Sequence, residues 1–229
     1  MEISFILRPI AIIPAICSIA LLISMVFFLI KGKMSVLLRR VILLQFSAFL
    51  WNFGQVIQCI SANDSTTLIS IFPIHTALSF AGYTWLIFCM SYINFDEKEH
   101  RFFKLILFVV PFFNFLLFLT NPLHEKYFIS LGYHAEKILT VSYGELFWLT
   151  PIITYLYMIS GLVILIYNYF KKNKVEKAQI ILFSIIGFSM LSFSLGVSAI
   201  IFKNKGSLEF FDFSPAVFAL LMVIYSIIA

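Results

Sequence analysis

Residues Pro9 to Ile30 read PIAIIPAICSIALLISMVFFLI, twenty-two in a row without a charge. A helix needs about 20 apolar residues to cross a hydrocarbon core of ~30 Å, so this stretch reads as a membrane span. It is too long for the apolar region of a signal peptide and lacks a small-residue cleavage site. Its heavier basic flank, Lys31 and Lys33, also lies on the wrong side. The same reading repeats at Val41–Ile60, Leu68–Ile93, Phe102–Thr120, Leu146–Phe170 and Ala178–Phe202, and a seventh run goes from Pro215 to Ala229. None of these runs alternates in polarity as the short strands of a membrane barrel do. In lipid the remaining way to satisfy the backbone is the helix. The expected fold class is all-α: a polytopic, multi-pass membrane protein of seven transmembrane helices, forming one domain over residues 1–229.

Composition agrees with the runs. Of 229 residues, 62% are hydrophobic and 12% charged, and the mean hydropathy is +1.02. A soluble domain carries about 25% charge, so a water-soluble shell, a disordered tail and a disulfide-rich secreted module are all excluded. The net charge of +5 sits between apolar runs, where basic residues orient a membrane protein and meet anionic lipid. Nucleic acid is not an expected partner; membrane lipid is. Cys17, Cys59 and Cys89 fall inside apolar runs without a CxxC pair and read as small buried residues.

Basic residues set the orientation. The odd-numbered connections hold Lys31, Lys33, Arg39, Arg40, Lys98, Arg101, Lys104, Lys171, Lys172, Lys174 and Lys177, eleven in all. The N-terminal segment and even connections hold five, Arg8, Lys126, Lys137, Lys203 and Lys205. The positive-inside rule places the first group in the cytoplasm, hence the N-terminus outside and the C-terminus inside. The seventh run has fifteen residues, about 22 Å of helix, short of the ~30 Å core. The sequence is therefore expected to continue past Ala229 into a cytoplasmic output domain.

No Asp, Glu, Lys or Arg lies deep in any span, which argues against a pump, a proton-coupled transporter or a voltage sensor. Gln45, Asn52, Gln55 and Gln58 share one broad face of the second span, and His75 lies near the outer end of the third. This polarity fits either an outward-opening pocket or hydrogen bonding between helices. Ser184, Gly187, Ser194 and Ser198 share a narrow arc of the sixth span, as close packing requires. Trp51, Trp148, Tyr127, Tyr143, Tyr155, Tyr167 and Tyr169 are expected mostly at the membrane interface. The longest connection, Asn121 to Glu145, is expected to face outside as a solvated loop. It carries His124, His134, Glu125 and Glu136, a spacing that matches no closed zinc pattern. No nucleophile–base set, phosphate loop or HExxH helix appears, so no catalytic residue, metal or cofactor is expected in this segment.

Several phrases carry a resemblance. Thr120-Asn121-Pro122-Leu123-His124, then Tyr143-Gly144-Glu145-Leu146-Phe147-Trp148, then Tyr155 and Tyr157 lie around the long connection. Trp51 stands in the second span, and Asp212-Phe213-Ser214-Pro215-Ala216-Val217-Phe218-Ala219 opens the seventh. In this order and spacing they resemble the N-terminal seven-helix region of bacterial sensor histidine kinases, over nearly the whole chain. The chain departs from that pattern at Ala81-Gly82 and near Ser192 and Ser194, where the family commonly has proline. Some of the phrasing is helix punctuation: Asn121-Pro122 ends the fourth helix, and Ser214-Pro215 caps the seventh.

The resemblance implies a signal-input module of the bacterial cell membrane, joined in the same chain to a kinase, or sometimes a diguanylate cyclase, and expected to dimerise. A small-molecule or peptide ligand, extracellular or membrane-borne, is expected near the outer ends of the helices. Gln55, Gln58, His75, His124, Glu145 and Asp212 are the candidate contacts, chosen for outer location and polarity. Two other classes compete. A small transporter or channel needs a polar path to both faces, and the inner halves look apolar. A lipid-modifying enzyme would have to use Asp96, Glu97, Glu99 and His100, which read as a solvated charged loop.

Overall fold

The computed structural model describes residues 5–6, 8–31, 35–93, 101–132, 140–203, 207–208, 216–217, 219–220 and 223. Within them lie six helices long and apolar enough to cross a membrane. The first four are α1 (Ile12–Lys31), α2 (Val36–Ile60), α3 (Asp64–Tyr92) and α4 (Arg101–Leu119). A single-turn helix α5 (Asn121–His124), strands β1 (Phe128–Gly132) and β2 (Thr140–Tyr143), and a 3-10 turn over Glu145–Trp148 follow. The last two long helices are α6 (Leu149–Tyr169) and α7 (Lys174–Lys203). Strand β3 (Ser207–Leu208) adds to β2, giving a three-stranded antiparallel sheet in the order β1-β2-β3. The protein is thus a multi-pass helical membrane protein with a small sheet at one end of the bundle. Residues 216–217, 219–220 and 223 are helical, and Ala216 and Ala219 are buried.

Several helices start earlier than hydropathy marks them, because polar caps rather than apolar content fix their ends. Ser35 accepts a hydrogen bond from the Leu38 N–H at 3.1 Å, so α2 begins at Val36 rather than Val41. Asn63 and Thr66 form a reciprocal capping box that starts α3 at Asp64. Asn173 and Glu176 do the same for α7: the Glu176 N–H donates to Asn173 Oδ1 at 3.0 Å and the Asn173 N–H to Glu176 Oε2 at 3.3 Å. At the other end of α2, the Arg8 guanidinium donates to the carbonyls of Cys59 and Ser61, at 2.9 and 2.8 Å. There it meets the negative end of the helix dipole.

Helix α3 is the central element, with α2, α4 and α6 all packed on it. Its Trp85 is fully enclosed and its indole N–H donates to the Met158 carbonyl of α6 at 3.2 Å. Two glycines make room for the ring, Gly161 on α6 and Gly187 on α7. A Cβ at Gly187 would lie 2.5 Å from Trp85 Cζ2, closer than any side chain tolerates. The small-residue arc read in the sixth span therefore serves packing at Gly187. Tyr155 ties α6 to α7 by donating to the Ser194 carbonyl at 2.8 Å. Gln45 ties α2 to α1, its Nε2 donating to Ser24 Oγ at 2.9 Å. Trp51 is a correction to the interface assignment: it is buried in the same core as Trp85.

Gly187→Leu is expected to lower stability by about 1–3 kcal/mol, the cost of overpacking. Gly196→Ala, on the same helix but with open space around its Cα, is expected to raise it by up to ~1 kcal/mol through helix propensity. Thermal unfolding of the purified protein in detergent separates the two.

Candidate functional site

The described residues of the connection from Asn121 to Trp148 form a folded cap with a hydrophobic core of its own. Ile71, Phe118, Tyr127, Phe128, Val141 and Phe147 are buried together there, apart from the main core around Trp85. The expectation of a solvated loop is thereby corrected for its described residues.

Asn121 organises the cap. Its Oδ1 accepts from the N–H groups of Tyr127 and Phe128, each at 2.9 Å, and its Nδ2 donates to the Phe128 carbonyl at 3.2 Å. His124 uses both ring nitrogens. Its Nδ1 accepts from the Lys126 N–H at 3.0 Å, which leaves Nε2 as the donor to the Leu117 carbonyl at 3.2 Å. Between them Glu125 takes a left-handed conformation, φ 54°, as a helix C-cap often requires. The closing phrase is also structural. The Gly144 N–H donates to the Tyr127 carbonyl at 2.9 Å, and a Cβ at Gly144 would collide with the Lys126 carbonyl oxygen. The Tyr143 ring stacks on Phe147 at 3.8 Å.

These contacts press Tyr127 down between the helices, fully enclosed. Its hydroxyl lies 2.6 Å from Thr150 Oγ1 on α6 and 3.3 Å from His75 Nδ1 on α3. Thr150 donates to Asn114 Oδ1 on α4 at 3.0 Å, and Asn114 Nδ2 donates to Ser79 Oγ on α3 at 3.3 Å. One hydrogen-bonded chain, His75–Tyr127–Thr150–Asn114–Ser79, therefore joins the cap to α3, α4 and α6. The donor order follows from the ends inward. Thr150 gives its single proton to Asn114, so Tyr127 donates to Thr150, and the Tyr127 oxygen accepts from His75. This order assigns the His75 proton to Nδ1. Burial pushes the Tyr127 phenol well above its ordinary value, while the Thr150 hydrogen bond acts the other way.

His75 is boxed by rings: Phe118 stacks on it at 5.2 Å, and Phe128 and Tyr127 meet it edge-on at 4.8 and 5.6 Å. Of the sequence candidates, His75 is in the chain and His124 holds the cap above it. Gln55 is buried on α2 and Gln58 half-buried one turn on; neither supplies a member of the chain. Glu145 is exposed at the start of the 3-10 turn. Asp212 lies outside the described residues, as do Pro215, His134, Glu136 and the Asp96–His100 cluster. Among the described residues no three His, Cys, Asp or Glu side chains come together as a metal site would need.

Sequence reasoning assigned Tyr127 to the membrane interface and passed over Asn114 and Thr150. The available signal was a lone amide, Asn114, in the otherwise apolar run from Leu105 to Leu119. A polar group there costs free energy unless bonded.

The family model for the N-terminal seven-transmembrane region of histidine kinase matches residues 12–229. The chain belongs to this family. No curated protein matches it. Within this histidine kinase region, the residues behind the resemblance acquire physical roles. Asn121 and Pro122 open the cap, Tyr143, Gly144 and Trp148 close it, and Trp51 fills the core.

Tyr127→Phe and Thr150→Val each remove one hydroxyl from the chain. Each is expected to cost about 1–3 kcal/mol, the usual penalty for unsatisfied buried partners. The pair is expected to couple by about 0.5–3 kcal/mol in a double-mutant cycle. Strict additivity in detergent unfolding would dissolve the chain as an energetic unit.

Proposed function

We propose that this region is the sensor input of a bacterial cell-membrane histidine kinase. It has seven spans, the cap outside and the C-terminus in the cytoplasm, joined to an output domain in the same chain. The orientation rests on the excess of lysine and arginine at the end opposite the cap. A small-molecule or peptide ligand, from outside or from the membrane, acts at the cap end. Gln55, Gln58, His75, His124, Glu145 and Asp212 remain the proposed contacts, His75 and His124 through the cap they hold. The signal leaves through the seventh helix toward the output domain, with a second copy as the kinase's partner.

The observation that carries this reading is the hydrogen-bonded chain between cap and bundle. A ligand shifts a bundle only if it binds two arrangements unequally. The cap offers such a difference, because lifting Tyr127 leaves the His75 N–H and the Thr150 oxygen to find other partners, at about 1–3 kcal/mol for each group left unmet. A factor of ten in the balance of two states needs only about 1.4 kcal/mol.

The test is autophosphorylation of the full-length protein in lipid vesicles. Tyr127→Phe is expected to change the basal level about three- to tenfold, whereas Ser130→Ala, exposed on β1, leaves it alone. Equal basal levels in wild type and Tyr127→Phe, or reporter fusions placing residues 171–177 outside the cell, would defeat the reading.

A further inference from the structure

The lipid-facing side of α6 and α7 carries a groove of about 480 Å³, at the half of the bundle away from the cap. Leu162, Ile166 and Tyr169 form one wall, and Ile181, Ser184 and Phe188 the other. The α7 lining runs from Ile180 to Ser189, a length of about 13 Å at 1.5 Å per residue. One leaflet of a ~30 Å hydrocarbon core is roughly 15 Å deep. The groove therefore matches the depth of one leaflet, and the exposure of Ile166, Ile181, Ile185 and Phe188 along it leaves it open on the outside of the bundle.

Its mouth is cationic. Residues 171–177 hold four lysines and one acid, and that acid, Glu176, is paired with Lys172 at 3.0 Å. Lys177 stands four residues before Ile181 and seven before Ser184, on the groove's own helical face. Its ammonium lies 5.3 Å from the ring centroid of Tyr169, which lines the groove. Lys174 lies a further turn toward the headgroup level on the same face.

We propose that this groove is a binding site for one anionic phospholipid, with an acyl chain along Ile166, Ile181 and Phe188 and the phosphate held by Lys177 and Lys174. Charge decides the occupant. A second copy related by a two-fold axis along the membrane normal would bring its lysine cluster to the same level, like charge against like. A phosphate offers the opposite charge there, worth about 1 kcal/mol per lysine near the surface. The lipid would clamp α6 to α7 at the end remote from the cap. The proposal is independent of any ligand at the cap.

The experiment is native mass spectrometry of the full-length protein equilibrated with equal palmitoyl-oleoyl phosphatidylglycerol and phosphatidylcholine. Wild type is expected to retain the glycerol lipid several-fold over the choline lipid. Lys174→Gln and Lys177→Gln should each reduce that preference, by about fivefold per lysine at most. Both are surface changes that leave the fold in place. Ser184→Trp fills the groove without altering charge and should displace both lipids. Equal retention of the two lipids, or full preference in the double lysine variant, would overturn the proposal. So would efficient cross-linking between copies through Ser184→Cys in vesicles.

Discussion

The hydroxyl of Tyr127 is the point at which a water-side cap and a membrane bundle become one structure. A polar group inside such a bundle must find a partner, because lipid offers none. Asn114, Thr150 and His75 each project from a different helix, and each is satisfied through its neighbours in one chain. The aromatic box of Phe118, Phe128 and Phe147 excludes water from it, which strengthens every bond and raises the cost of breaking one. The rest of the cap serves that placement. Asn121 ties down the backbone before Tyr127, and Gly144 allows the returning strand to pass against it.

The two ends of the bundle obey different physics. At the cap end, cohesion comes from directional bonds and stacked rings. At the centre it comes from shape, with Trp85 seated between two glycines. At the far end the surface is a lysine-rich rim above an apolar groove, with cohesion supplied partly by whatever lipid lies there.

The membrane class was legible from hydropathy alone, since an uncharged run as long as Pro9–Ile30 is rarely anything but a span. The caps at Ser35, Asn63 and Asn173 went unread, because hydropathy marks where apolar content begins and not the polar residues that start a helix a turn earlier. The cap's fold was not legible: the phrases around Asn121 and Gly144 marked its two ends, while the connection between them read as a solvated loop, although Tyr127, Phe128 and Val141 are buried in it. Spacing could not say that Asn121 would bond two amides six and seven residues on. Tyr127 was misread because a tyrosine near a span end looks the same whether it faces headgroups or the interior, and Trp51 because its midway place in the second span was given less weight than its residue type. The chain from His75 to Ser79 joins residues up to 75 positions apart, and no periodicity encodes such a meeting.

The most direct test is the distance between spin labels at Leu119→Cys on α4 and Ile152→Cys on α6, both lipid-exposed positions, measured by pulsed electron resonance in vesicles. With Tyr127 in place a single narrow distance is expected, and with Tyr127→Phe it should broaden or split. An identical narrow distribution in both proteins would contradict the central role of the phenol, since the helices would then hold their places without the cap.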